Sequence, residues 1–181
     1  MKAQFIAAAA GLFAGALADQ SIFSGAGFGT YYYDIEQVDA CGTTFQYQNL
    51  GPVMCNQETA LTPNDINSNY IVAMNNSQLR SDPSLYCGKK VVVSVNGQAS
   101  DLPLFIGDGC ERCADGSPDA TTWNSQGAPG LDFSYSVLDQ ITGGSACADG
   151  HAEITWEIVD ETLYNFDTNA PGQTTGPVSS S

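Results

Sequence analysis

The sequence predicts an all-β domain, a small closed barrel stapled by disulfides, on three observations. Short runs rich in β-branched and aromatic residues recur with turn residues between them: "TYYYDI", "YIVAM", "KVVVSV", "LPLFIG" and "AEITWEIV". Asn96-Gly97 stands between two such runs, and this dipeptide readily adopts the positive φ values that a tight hairpin turn requires. Six cysteines, at 41, 55, 87, 110, 113 and 147, form an even set that reads as three disulfides in an oxidising compartment.

That compartment is inferred from the first residues. One lysine, an apolar run from Phe5 to Leu17 and a small-x-small ending at Ala16-Leu17-Ala18 read as a secretory signal peptide over 1–18, with cleavage before Asp19. The run is too short for a comfortable membrane span. The 163 residues that follow suffice for one domain with its own core, and the chain is expected to be secreted. Without Lys2, four cations (Arg80, Lys89, Lys90 and Arg112) face 20 acids, a formal charge of −16. Such a surface repels nucleic acid, anionic membranes and polyanionic pectin, leaving a neutral glycan or a basic protein as acceptable partners.

Along the chain, "GAGFG" at 25–29 lacks the strand and helix flanks of a nucleotide loop and reads as an N-terminal lead-in. Segments 76–86 and 132–144 carry apolar residues at helical spacing. In the second, Phe133, Val137, Leu138 and Ile141 share a face that ends in Gly143-Gly144. The domain is expected to occupy 19–166, and 167–181, rich in Pro, Gly, Ser and Thr with no apolar run, to form a flexible tail. Asn75-Asn76-Ser77 is an N-glycosylation sequon at Asn75. "CERC" at 110–113 has no second CxxC and His151 is the lone histidine, so no metal, cofactor or thiol-redox chemistry is assigned.

Taken in order, "GTYYYD…ACG", "YIVAMNNSQL", "YCGKKVVVSVNG", "GDGCERC", "LDFSYSVLDQI" and "ITWEIV" resemble the double-psi β-barrel domain of expansin-like and rare lipoprotein A-like proteins. The likeness is greatest to single-domain secreted fungal members of the loosenin type, which have barwin-type and papain-inhibitor relatives. It spans Gly27 to Val159. It implies a six-stranded double-psi barrel and an open groove across one face in which a glycan chain can lie; the chain is expected to be a monomer. It also pairs Cys41 with Cys87. The partners of Cys55, Cys110, Cys113 and Cys147 stay open, with bridges to Cys55 and Cys147 preferred over the short 110–113 loop.

The resemblance puts Asp132 at the aspartate of the expansin "HFD" motif, which in related family 45 endoglucanases is the general acid. Leu131 departs from that motif's histidine. Asp132 also precedes a helical run, where it would serve as an N-cap. Asp34 matches the base of those endoglucanases, and an inverting hydrolase sets its two carboxyls about 6.5–9.5 Å apart. Asp108, in "GDGC", corresponds to a recurring groove aspartate, or else fixes a loop. Tyr31 and Tyr33 point one way along a strand and Tyr32 the other, so part of the triplet can stack on sugar while the rest packs inward. Trp156 alternates with Ile154 and Ile158 as core, whereas Trp123 lies in a turn-rich stretch and suits an exposed contact.

The first expected function is binding and loosening of cell-wall polysaccharide without hydrolysis, through Tyr31, Tyr33, Asp108, Trp123 and Asp132. The second is a protease inhibitor or defence effector acting on a protein partner through loops. The third is a weak inverting hydrolase with Asp132 as acid and Asp34 as base, or a lytic enzyme using Asp132 alone.

Overall fold

A computed structural model describes residues 20–169, 172 and 174–179; the expected signal peptide, 1–18, lies outside the described residues. Six strands close into a ring: β1 Ser21–Tyr33, β2 Ile71–Asn75, β3 Lys89–Val95, β4 Phe105–Cys110, β5 Gly130–Ser134 and β6 Ala152–Thr162. Around the barrel the order is β3-β4-β2-β5-β1-β6, and β6 pairs back onto β3. Two of the pairings are parallel, β1 with β5 and β2 with β4, while β1–β6 and β3–β6 are antiparallel. This closed, mostly β architecture is the double-psi barrel that the motif order implies. Five short helices decorate it: α1 Pro63–Ile66, α2 Asn76–Ser81, α3 Pro83–Tyr86, α4 Tyr135–Ile141 and α5 Ala146–Asp149.

Alternation along the strands fills the interior with Ile71, Ile106, Leu131, Phe133 and Ile158, all fully buried. These side chains are core-directed, and a one-residue slip would turn them to water. No helix among the described residues is long and apolar enough to cross a membrane.

Several expectations are corrected. "GAGFG" is no lead-in but the middle of β1, paired with β6 throughout and, at Phe28 and Gly29, also with β5. Its glycines are needed for close approach: a Cβ at Gly25 would fall 2.3 Å from Trp156 Cζ2, and one at Gly27 would fall 2.1 Å from the Pro129 carbonyl oxygen. Asn96 and Gly97 do adopt positive φ, 51° and 76°. The turn they make returns β3 onto the two-residue strand Gln98–Ala99, whereas β3 meets β4 at a single pair, Lys90 with Phe105. Segment 76–86 splits into two helices because Pro83 has no N–H to continue the first, and Asp82 caps the second by accepting from Leu85 N–H at 3.1 Å. Helix α4 starts after Ser134, whose Oγ accepts from Val137 N–H at 3.2 Å. Asp132 is thus a strand residue and not a helix cap.

The disulfides also differ from expectation. Cys41 pairs with Cys147, Cys55 with Cys87 and Cys110 with Cys113. The reason for the second lies in β4. Cys55 N–H donates to Gly107 O and Gly88 N–H to Ile106 O, so the chains carrying Cys55 and Cys87 both run alongside that strand. The third closes because a 3-10 turn, Arg112–Ala114, follows β4 directly and brings the two Cα atoms to 5.2 Å.

Several of the described residues after 166 make contacts with the domain. Asp167 is buried and accepts from Gln57 and Glu58 N–H. Thr168 Oγ1 donates to Cys55 O, and Asn169 Nδ2 to Cys87 O. Gly176–Pro177 then pairs with Tyr164–Asn165. Polar side chains make the bonds at 167–169, so these residues are held without an apolar run.

Candidate functional site

Four neighbouring strands carry the site. Thr30 of β1 is in register with Asp132 of β5, Asp132 with Ala73 of β2, and Ala73 with Asp108 of β4. Ala73, buried between them in register, separates the two carboxylates across the sheet. Tyr32, two residues beyond Thr30 and therefore of the same parity, packs on Ala73 and the Cys110–Cys113 bridge. Its hydroxyl donates to Asp108 Oδ2 at 3.0 Å.

Arg112 closes the other side. The 3-10 turn that joins the two cysteines sets its backbone, and the Ala128 carbonyl accepts from Nη1 at 3.1 Å. Nη2 then reaches Asp132 Oδ1 at 2.8 Å and Thr30 Oγ1 at 3.1 Å, and Thr30 donates its own proton to Asp132 Oδ1. Asp132 and Arg112 are each only 16% exposed at the side chain, so the pair is shielded and strengthened relative to one in open water. The guanidinium lies 5.0 Å from the ring centre of Trp123.

Asp108 is the perturbed acid. Burial raises its pKa, and the charge of Asp132 raises it further, against the lowering effect of N–H donors from Met54 and Gly109 and of the Tyr32 hydroxyl. The Tyr32 hydroxyl is itself pushed well above its ordinary value, first by burial and then by Asp108. The result is a protonated phenol donating to a carboxylate in a half-dry setting.

The expected site residues do not all converge. Tyr33 is fully buried, its hydroxyl bonded to the backbone of Ser68 and Ile71. Tyr31 sets its ring edge-on to Phe45 and Tyr135, centroids 5.9 and 5.5 Å away. The tyrosine at the site is Tyr32. Trp123 is there too, but half-buried instead of free: it stacks on His151 at 4.4 Å and meets Phe28 edge-on.

Asp34 is not across a groove from Asp132. It is wholly buried, with Oδ1 accepting from Glu36 N–H, Gln37 N–H and Asn69 Nδ2, and Oδ2 from Ser136 N–H at 2.7 Å. Burial raises its pKa, but the Gln37 N–H, the Ser136 hydroxyl and N–H, and the Glu36 N–H outweigh that and hold it below the ordinary carboxylate value. Such a group ties the end of β1 to α4 and is closed to solvent. Asn75 has likewise spent its amide, capping α2 through Oδ1 and donating Nδ2 to Cys113 O at 3.1 Å. That nitrogen is where a glycan would be attached. Cys110, Cys113 and Asp132 offer three atoms within 4.8 Å of one another, yet the sulfurs are bonded together and neither offers a thiolate.

Sequence reasoning missed Thr30, Tyr32 and Arg112. Strand parity was the usable signal for the first two, since Thr30 and Tyr32 alternate away from Tyr31 and Tyr33. Nothing in "CERC" announces that Arg112 reaches Asp132.

Fold and site together define a disulfide-stapled double-psi barrel with a polar, aromatic-edged face. No known family model matches the chain, and no curated protein does. Among solved structures it is similar to cerato-platanin 2 from M. perniciosa, at 16% identity and TM-score 0.42, over 75% of this chain and 95% of that one. It is similar at 16% and 0.42 to the expansin of Clavibacter michiganensis, a variant of which was solved with cellohexaose. That match covers 77% of this chain and 52% of the other, so the chain spans about half the expansin's length. It is also similar to a Streptomyces papain inhibitor, at 20% and 0.39, over 78% of this chain and 99% of that one.

Proposed function

We propose that this is a secreted protein that binds neutral cell-wall polysaccharide on the Thr30–Asp132–Asp108 face and loosens it without hydrolysis. The observation that carries the reading is the pairing of Asp132 with Arg112 and Thr30 while Asp34 is spent inside the fold. A hydrolase needs an acid with a proton to give and a base with room for water. Here the first carboxylate is matched to a cation, and the second is fully buried among backbone and side-chain donors. What remains is an array of hydroxyl, carboxylate and guanidinium groups beside Tyr32 and Trp123, the mix that hydrogen-bonds sugar hydroxyls and covers their apolar faces. The charge of −15 disfavours an anionic glycan.

The test is pull-down on cellulose, chitin and fungal β-glucan, with D132A, R112A and W123A beside the wild type and reducing ends assayed in parallel. Retention of the wild type, loss of retention in D132A and R112A, and no new reducing ends are expected. Failure to bind all three glycans refutes the reading, and release of reducing ends by the wild type but not D132A replaces it with a hydrolytic one.

A protein partner is the second reading, favoured by one observation: Tyr47 is 79% exposed and Leu50 57% on the same loop. Inhibition of a cysteine protease that survives D132A but is lost in Y47A selects it.

A further inference from the structure

The face of β1 that carries Thr30 does not end there. Ala26 and Phe28 share its parity, and Ala26 lies about 13 Å from Thr30 along the strand. Ala26 is in register with Thr155 of β6, and Thr155 with Ser94 of β3, so three small side chains form a low floor across three strands. The 118–121 segment and the Asn96-Gly97 turn complete the walls of a trough of about 750 Å³. Its lining is acidic and not neutralised. Asp119 and Glu153 line it, no Lys, Arg or His does, and among the described residues neither carboxylate is in an ion pair, whereas Lys89, Lys90 and Arg112 are paired with Asp160, Glu161 and Asp132. The trough adjoins the first site. Phe28, one of its walls, meets Trp123 edge-on at 5.5 Å, and Trp123 lies beside the guanidinium that holds Asp132.

We infer that the trough is a second subsite for a glycan chain held at the Asp132 face, and that it takes a sugar unit bearing a protonated amino group, as in a partly deacetylated hexosamine polymer. The inference rests on the glycan reading of that face. The two ends of the path differ in charge. Asp132 is already matched by Arg112, which suits a neutral unit, while the two carboxylates of the trough are exposed and have no cation beside them. A neutral unit in the trough gains hydrogen bonds to Ser94, Thr121 and Thr155; an ammonium there gains charge-assisted bonds to Asp119 or Glu153 as well. The net charge of −15 adds to that attraction and turns an anionic unit away. A floor of Ala26, Thr155 and Ser94 is flat enough for a ring to lie on and has no deep pocket for a long side chain, which favours a sugar over a lysine-rich peptide.

Calorimetric titration with cellohexaose, the fully acetylated glucosamine hexamer and the fully deacetylated one, at mildly acidic pH, tests this. The deacetylated hexamer is expected to bind about fivefold tighter than the acetylated one at low salt, the size that two exposed charge contacts supply, and the gap should close at high salt. In D119N/E153Q, which keeps the shape of both side chains, the preference should fall below about twofold. In D132A all three sugars should weaken while the preference stays. The backbone amide peaks of Ala26, Ser94 and Thr155 in a ¹H–¹⁵N correlation spectrum should move when the deacetylated hexamer is added to the wild type. Equal binding of the two glucosamine hexamers, a preference untouched by D119N/E153Q, unmoved amides in the trough, or a lysine hexapeptide that binds tighter than the deacetylated hexamer each overturns the subsite. Failure of all three sugars to bind overturns the glycan reading of the Asp132 face together with it, whereas cellohexaose binding with no preference for amino groups leaves that reading standing and removes the subsite alone.

Discussion

Replacing Asp34 separates a structural aspartate from a catalytic one. In D34A, four donors lose their acceptor at once: the N–H groups of Glu36, Gln37 and Ser136, and Asn69 Nδ2. Bonds to a charged acceptor contribute roughly 1.5–3 kcal/mol each, and Glu36 and Gln37 sit near enough to water to be rehydrated, so we expect a net loss of about 3–5 kcal/mol. That is a large part of a domain's usual ~5–15 kcal/mol. D34N keeps Oδ1 for three of the donors but turns an NH₂ towards Ser136 N–H, costing about 2 kcal/mol. The pH dependence has a definite sign. Because the folded pKa of Asp34 is lowered, its stabilisation is complete above the carboxyl's unfolded value, about 3.9, and is lost as pH falls through the folded value. D34N should therefore flatten the acid limb of the stability curve. Urea unfolding from pH 7 down to pH 2, with glycan retention measured on the folded fraction, reads both effects. A D34A protein as stable as wild type to within 0.5 kcal/mol yet unable to act on glycan would refute the reasoning.

Asp108 should behave in the opposite sense. Its pKa is raised by burial, so the stability it contributes is complete at low pH and lost as pH rises through the folded value. D108N, which keeps an acceptor for Met54 and Gly109 N–H, should match or exceed wild type at pH 7 and lose that advantage near pH 4, by thermal unfolding at each pH. A D108N deficit that grows with pH counts against the assignment. The disulfides should be unequal as well. Removing Cys41–Cys147, which closes 106 residues, should cost about 4–5 kcal/mol, and removing Cys110–Cys113, which closes 3, about 2 kcal/mol or less. Equal losses in denaturant titrations contradict that, as does a Cys41–Cys87 peptide in a non-reduced digest.

The local signals in this chain were legible because they are short-range. Alternating "ITWEIV", the positive φ at Asn96-Gly97 and the buried spacing of Val137 and Leu138 each depend on residues a few positions apart; the first and last became the elements they announced, and the turn formed but led to a two-residue strand and not to "LPLFIG". The barrel was readable from motif order, and the negative surface from counting. Register was not. Which of three adjacent tyrosines meets the site, whether Asp34 or Asp108 accompanies Asp132, and which cysteines pair depend on strands 30 to 100 residues apart being laid side by side. There a shift of one residue exchanges the two faces. Tertiary packing alone therefore set Arg112 onto Asp132 and enclosed Asp34 with four donors. Sequence periodicity determines which residues point inward or outward along a single strand. The partners that meet across the barrel are decided only when the ring closes.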